Sequence, residues 1–126
     1  MTLLLDTHIL LWAAAEELPE TIAPYINDRE NMLLFSSASL WEVAIKNGFG
    51  RKDFSVDPAS LYSGLLYAGY KELAVSAQHV LSLSDLPNFH KDPFDRILIA
   101  QAISERIALL TADKIIAKYP GPIIRL

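Results

Sequence analysis

Asp6 interrupts an apolar run, LLLDTHILLW over Leu3 to Trp12, and Asp113 closes a second one, ALLTAD. Each follows a short segment that reads as a buried strand, and open parallel sheets form their ligand sites at the carboxyl ends of strands. Two carboxylates at the same edge of one sheet form a pattern that neither would make alone. Capping of the following helix explains either one alone, because Asp is a preferred N-cap. Two more acids come from helices. At about 100° per residue, Asp95 in HKDPFDRILIAQA projects among Leu98, Ile99 and Ala102, inside the apolar arc. Its simpler explanation is a favourable place in the first turn, near the positive end of the helix dipole. Glu42 in SLWEVAIK lies just past the edge of its apolar arc, on the side of Lys46, where a solvated ion pair would account for it.

The elements that must position these acids alternate between strand and helix. Thr2 to Leu5, Met32 to Phe35, Leu73 to Val75, Ile107 to Thr111 and Ile123-Ile124 read as strands. Helices are expected over His8 to Glu16, from Pro19-Glu20 to Asn27, from Ser36, Ser37 or Ser39 to Lys46, and over Pro58 to Gly69. Three more follow at Gln78 to Leu83, Pro93 to Arg106 and Lys114 to Tyr119. Gly48 and Gly50 end the third helix ahead of a polar turn at Arg51-Lys52-Asp53, and a loop runs over Ser84 to Lys91. Such alternation implies βαβ units and an α/β fold: a three-layer α/β/α sandwich around a central, mostly parallel sheet.

The chain has 126 residues, enough for one core, and residues 1–126 are expected to form one domain. It has no cysteine, which excludes disulfides and thiolate metal sites. No apolar run approaches the roughly 18 residues of a membrane span, and Met1-Thr2-Leu3 lacks the positive start of a signal peptide, so a cytoplasmic location without membrane contact is expected. The 11 basic and 15 acidic side chains give a net charge of -4, which argues against a surface built for non-specific nucleic-acid binding but leaves room for a local basic rim. Hydrophobic residues make up 52% and mean hydropathy is +0.24, values that suggest a partner covers some apolar surface.

Taken together and in order, LLLDTHILLW, SASLWEVAIK, HKDPFDRILIAQA and LLTAD resemble the PIN domain family, and within it the VapC-type toxins of toxin–antitoxin modules. The resemblance covers nearly the whole chain. It implies an acidic quartet that maps onto Asp6, Glu42, Asp95 and Asp113, acting as catalytic residues and as metal ligands. Of the two aspartates in HKDPFDR, Asp95 is the one carried over, whereas Asp92, ahead of Pro93, reads as a helix cap. The implied activity is that of a Mg²⁺- or Mn²⁺-dependent endoribonuclease, which hydrolyses RNA phosphodiester bonds with a metal-activated water.

The physics of the quartet agrees with that chemistry. Two carboxylates about 4 Å apart repel by roughly 4 kcal/mol at an effective dielectric of 20, so four together must take up protons or bind cations. An all-oxygen donor set favours Mg²⁺ or Mn²⁺ over zinc. Thr7 and Thr111 adjoin the acids and could orient a carboxylate, a water or a substrate phosphate, although capping explains them as well. His8 reads as structural. Lys46, His90, Lys91 and Arg96 flank Glu42 and Asp95 and could contact RNA phosphates, or simply be solvated surface charge.

The resemblance also implies partners: an RNA substrate, a cognate antitoxin that blocks the site, a toxin homodimer and a toxin–antitoxin hetero-oligomer. Trp12, Tyr25, Tyr62, Leu65, Leu66 and Tyr67 are candidates for an apolar groove that receives the antitoxin, with core packing as the alternative. Two other enzymes fit parts of the pattern. A PIN nuclease of RNA maturation shares the chemistry but is less expected at this short length without an additional RNA-binding domain. A phosphohydrolase with Asp6 as nucleophile would need a second Asp two residues on, where His8 stands.

Overall fold

The computed structural model describes residues 1–48 and 56–125. Five strands, β1 (Thr2–Leu5), β2 (Met32–Ser36), β3 (Lys71–Leu73), β4 (Ala108–Thr111) and β5 (Ile123–Arg125), form one sheet in the order β3-β2-β1-β4-β5. Every neighbouring pair is parallel. Parallel neighbours need crossovers, which here carry α1 (Thr7–Ala14), α2 (Ala23–Asn27), α3 (Ser37–Gly48), α4 (Pro58–Tyr67), α5 (Ala77–Leu81) and α6 (Pro93–Glu105).

Alternation along the central strands divides the core in two. Leu3 and Leu5 of β1 and Leu110 of β4 join Ile9 and Leu10 of α1, Leu61 and Leu65 of α4, and Phe35 on one face. Leu4 and Leu109 point the other way, onto Ile97, Leu98, Ile99 and Ala102 of α6. Because β1 and β4 are covered on both faces, they need apolar side chains at every position and read as continuous runs. Each fully buried leucine contributes roughly 1.5–3 kcal/mol, an upper range because the unfolded chain also hides some surface. α3 serves both cores, with Val43 in the first and Ala38 in the second.

The chain runs from β1 outward to β2 and β3, then returns to place β4 on the other side of β1. The direction of winding therefore reverses between β1 and β4, and an open α/β sheet has its crevice at such a switch. Leu5 is opposite Leu110, and the Asp6 amide donates to the Leu110 carbonyl at 3.1 Å. This pairing brings the ends of the two apolar runs together.

Most element ends shift by a residue or two, the helix expected at Lys114 to Tyr119 is only a short 3-10 turn over Ile116–Lys118, and two boundaries differ further from the sequence reading. The second helix starts at Ala23, not Pro19: the amides of Ile22 and Ala23 both close onto the Pro19 carbonyl as a turn, and Pro24 takes the first-turn place where no N–H is needed. The third strand is Lys71–Leu73 and not Leu73 to Val75. It is an edge strand, so pairing with Leu34, Phe35 and Ser36 sets its limits while Lys71 and Glu72 remain in solvent. Gly50 and the expected turn at Arg51-Lys52-Asp53 lie outside the described residues.

Candidate active site

Asp6 caps α1, its Oδ1 accepting the Ile9 amide at 2.9 Å, so the capping explanation of this residue holds. Its other oxygen has a different use. Oδ2 accepts the Thr111 hydroxyl from the end of β4, and the same hydroxyl oxygen accepts the Asp113 amide at 3.0 Å. Burial raises the Asp6 carboxyl above its ordinary value of 3.8, and the Asp113 charge adds to the rise; the bonds from Thr111 and Ile9 and the His8 side chain oppose it.

Glu42 reaches the same place from α3. Turning Val43 into the core leaves Trp41 63% exposed and Glu42 only 4% exposed. Oε2 accepts from Lys46 Nζ at 2.7 Å, whereas Oε1 is buried without a hydrogen-bond partner. An unpaired buried carboxylate oxygen is expensive, and a cation or a water would satisfy it.

Asp95 comes from the first turn of α6, which Asp92 caps by accepting the Phe94 and Asp95 amides at 2.8 and 3.3 Å. Its Oδ2 lies 2.9 Å from His90 Nε2, and Asp113 Oδ2 lies 3.6 Å from the same atom. Burial, followed by the charges of Asp92, Glu42, Asp6 and Asp113, pushes the Asp95 carboxyl up to about 7. Asp113 Oδ1 accepts the Ile115 and Ile116 amides and starts the last short helical turn.

Asp6, Glu42, Asp95 and Asp113 thus line one open cleft of about 750 Å³, together with Asp92, Lys46, Thr7 and the apolar wall of Leu11, Trp12 and Val56. Four elements deliver the four acids. Their donor set is all oxygen, one buried oxygen is unpaired and two carboxyls are shifted toward the proton-bound form. That combination fits a hard divalent cation such as Mg²⁺ or Mn²⁺.

The other candidates have different places. Thr111 bridges Asp6 and Asp113, as described. Thr7 donates to Ser39 Oγ at 2.9 Å and ties α1 to α3 beside the cleft. Lys91 is exposed. Arg96 does not face the cleft: its guanidinium donates to the carbonyls of Pro87 and Leu83 and to the Tyr119 hydroxyl, at 2.7, 3.2 and 3.2 Å. One residue further along a helix is turned by about 100°, which carries Arg96 away from the direction of Asp95. His8 is exposed, with its ring 4.9 Å from that of Trp12. Of the groove candidates, Leu65 belongs to the core, Tyr25 packs against it and Trp12 forms the cleft wall. Tyr62, Leu66 and Tyr67 are exposed on α4.

Asp92 is the helix cap expected of it and also contributes charge to the cleft, which its position one turn before Asp95 signals. His90 was read as rim charge, and nothing in the local sequence shows that its ring reaches two acids.

A PIN domain model matches residues 3–122. The chain belongs to the PIN domain family. Nuclease activity is the general function of this family. Among solved structures, the chain resembles VapBC2 from Rickettsia felis, bound to a DNA fragment from its promoter, with a TM-score of 0.74, 18% identity and 100% of this chain and 99% of that one covered. DNA-bound VapBC from Salmonella typhimurium matches with a TM-score of 0.70 and 14% identity, over 99% and 98% of the two chains. VapBC-1 from nontypeable Haemophilus influenzae matches with a TM-score of 0.67 and 19% identity, also over 99% and 98%. At these identities the likeness is one of fold. Among proteins with curated descriptions, none matches by sequence.

Proposed function

We propose that this PIN domain is a Mg²⁺- or Mn²⁺-dependent endoribonuclease acting as the toxin of a toxin–antitoxin module. One observation carries the reading: four carboxylates from four elements line one cleft, with a Glu42 oxygen buried and unpaired. Asp6, Glu42, Asp95 and Asp113 would hold the cation. When bound, such an ion supplies positive charge at a phosphodiester and makes water a stronger acid.

The remaining work belongs to the chain's own side chains. Thr111 holds Asp6 in one orientation, and its oxygen fixes the start of the Asp113 turn. The Asp95 carboxyl, raised to about 7 by burial and the neighbouring acids, holds its proton more tightly than an ordinary carboxyl, and a bound cation would favour its charged form. Leu11, Trp12 and Val56 restrict water on one side of the acids. Lys46, which also lines the cleft, would offer a positive charge to substrate phosphate.

The toxin reading is supported by the fold shared with three VapBC proteins and by the exposed Tyr62, Leu66 and Tyr67 on α4, which would be covered by a cognate antitoxin. A homodimer and a toxin–antitoxin hetero-oligomer, working in the cytoplasm, are part of the same proposal. Among the described residues no helix is long and apolar enough to cross a membrane. The test is RNA cleavage by purified protein. Cleavage should require Mg²⁺ or Mn²⁺, stop in EDTA and be absent from an Asp6→Asn preparation made in parallel; cleavage unaffected by chelator would overturn the reading.

A further inference from the structure

His90 stands between the acids of α6 and β4, and the ring makes contacts on both sides. Its Nδ1 is 3.1 Å from the Asp92 backbone nitrogen. A backbone N–H can only donate, so Nδ1 must accept and the ring proton sits on Nε2. Nε2 faces Oδ2 of Asp95 at 2.9 Å and Oδ2 of Asp113 at 3.6 Å. The loop that carries the ring is itself pinned. The His90 amide donates to the buried Tyr119 hydroxyl at 2.7 Å, and Arg96 donates to the same hydroxyl as well as to two loop carbonyls.

Ligand atoms of His90, Asp95 and Asp113 all lie within 4.8 Å of one another, a spacing that would also suit a nitrogen ligand to a metal. The Asp92 amide decides against it. To bind a cation Nε2 would have to lose its proton; a neutral ring would then carry that proton on Nδ1, facing another N–H. The result is two donors in contact, in a place where a buried donor without an acceptor costs about 1–3 kcal/mol.

We propose that His90 is a positioning residue: its Nε2–H faces Asp95 Oδ2 at 2.9 Å and orients that carboxylate for the cation without ligating it, with Asp113 Oδ2 farther off at 3.6 Å. This rests on the cation-dependent nuclease reading of the cleft. Partners that orient metal ligands in this way typically alter metal affinity by about 10–100-fold when removed.

Two measurements on the full chain test it. In long-range proton–nitrogen spectra of protein labelled with ¹⁵N in histidine, His90 should show a bare Nδ1 and a protonated Nε2, both without metal and after saturation with Mg²⁺. A switch to a bare Nε2 on adding Mg²⁺ would overturn the proposal. In calorimetric titration, His90→Ala should weaken Mg²⁺ binding about 10–100-fold. His90→Gln, whose amide can still donate, should stay within about threefold of the unaltered protein. Equal affinity in His90→Ala would overturn the positioning role and leave the nuclease reading standing, whereas no Mg²⁺ or Mn²⁺ binding by the unaltered protein would overturn both. If His90→Ala does not fold, the spectra of the unaltered chain still decide.

Discussion

The Thr111 hydroxyl donates to Asp6, a residue 105 positions earlier in the chain, and joins the ends of the two central strands at the point where the sheet reverses its winding. The same oxygen accepts the Asp113 amide. Thr111→Val keeps the shape and removes both bonds. The buried Asp6 carboxylate then loses a donor, and the expected loss of stability is about 1–3 kcal/mol. Urea unfolding in EDTA measures it, and RNA cleavage should fall by about tenfold or more because Asp6 is then held only by the Ile9 amide.

The metal-free protein should become less stable as pH rises. The unfolded chain loses the Asp95 proton near 3.8, and the folded one near 7. Between those values the folded state binds more protons, so this group's contribution falls as pH rises through the window and levels off above it. Asp6, also raised, acts in the same direction. Urea midpoints in EDTA should be higher at about pH 5.5 than at about pH 8, by an amount equivalent to 1 kcal/mol or more. Saturating Mg²⁺ should narrow the difference, since a cation replaces the proton. A midpoint that rises with pH in EDTA would contradict the clustering of these acids.

Lys46 holds a Glu42 oxygen that the proposed cation would use. Its Nζ lies 2.7 Å from Glu42 Oε2, with the glutamate buried and the lysine partly exposed. Lys46→Met should raise Mg²⁺ affinity severalfold in calorimetric titration. It should also reduce the stability of the metal-free protein by about 1 kcal/mol or more, because buried Glu42 is left without this counter-charge.

Arg96 and Lys91, neighbours of Asp95 in sequence, should behave differently. Arg96→Ala removes three hydrogen bonds that hold the loop before α6, and a loss on the order of 2 kcal/mol is expected in urea unfolding. Lys91→Ala should leave stability within about 0.5 kcal/mol. If the exposed Lys91 meets RNA phosphate, its removal should weaken RNA binding more at low salt than at high salt.

The parts of the site legible in the sequence are those where a local pattern and a global position coincide. Asp6 and Asp113 end strands buried on both faces, so each breaks an apolar run visibly, and the strand order then makes the two ends adjacent. Asp95 was legible because α6 turns nearly all its middle residues into the core, leaving no wet face for an acid to explain itself by. Glu42 was weaker, since its spacing from Lys46 is equally that of a surface ion pair. The loop before α6 was opaque. It has no periodicity, and what orders it is Arg96 on α6 and Tyr119 near the end of the chain, a contact that no local window contains. The same holds for β3, whose limits come from its partner strand and not from its own apolar residues.

The most direct measurement is the melting temperature of Asp95→Asn against the unaltered protein, both in EDTA at about pH 8. The amide has nearly the same volume as the carboxylate, can still accept from His90 Nε2, and removes one charge from a cleft that Asp6, Glu42, Asp92 and Asp113 share. If these acids form a like-charge cluster built to hold a cation, the variant should melt several degrees higher, gaining on the order of 1 kcal/mol or more. Its further rise on adding Mg²⁺ should be smaller than that of the unaltered protein. A variant that melts lower in EDTA, by the roughly 0.3–1 kcal/mol of a lost helix-dipole partner, and responds fully to Mg²⁺ would contradict the cluster.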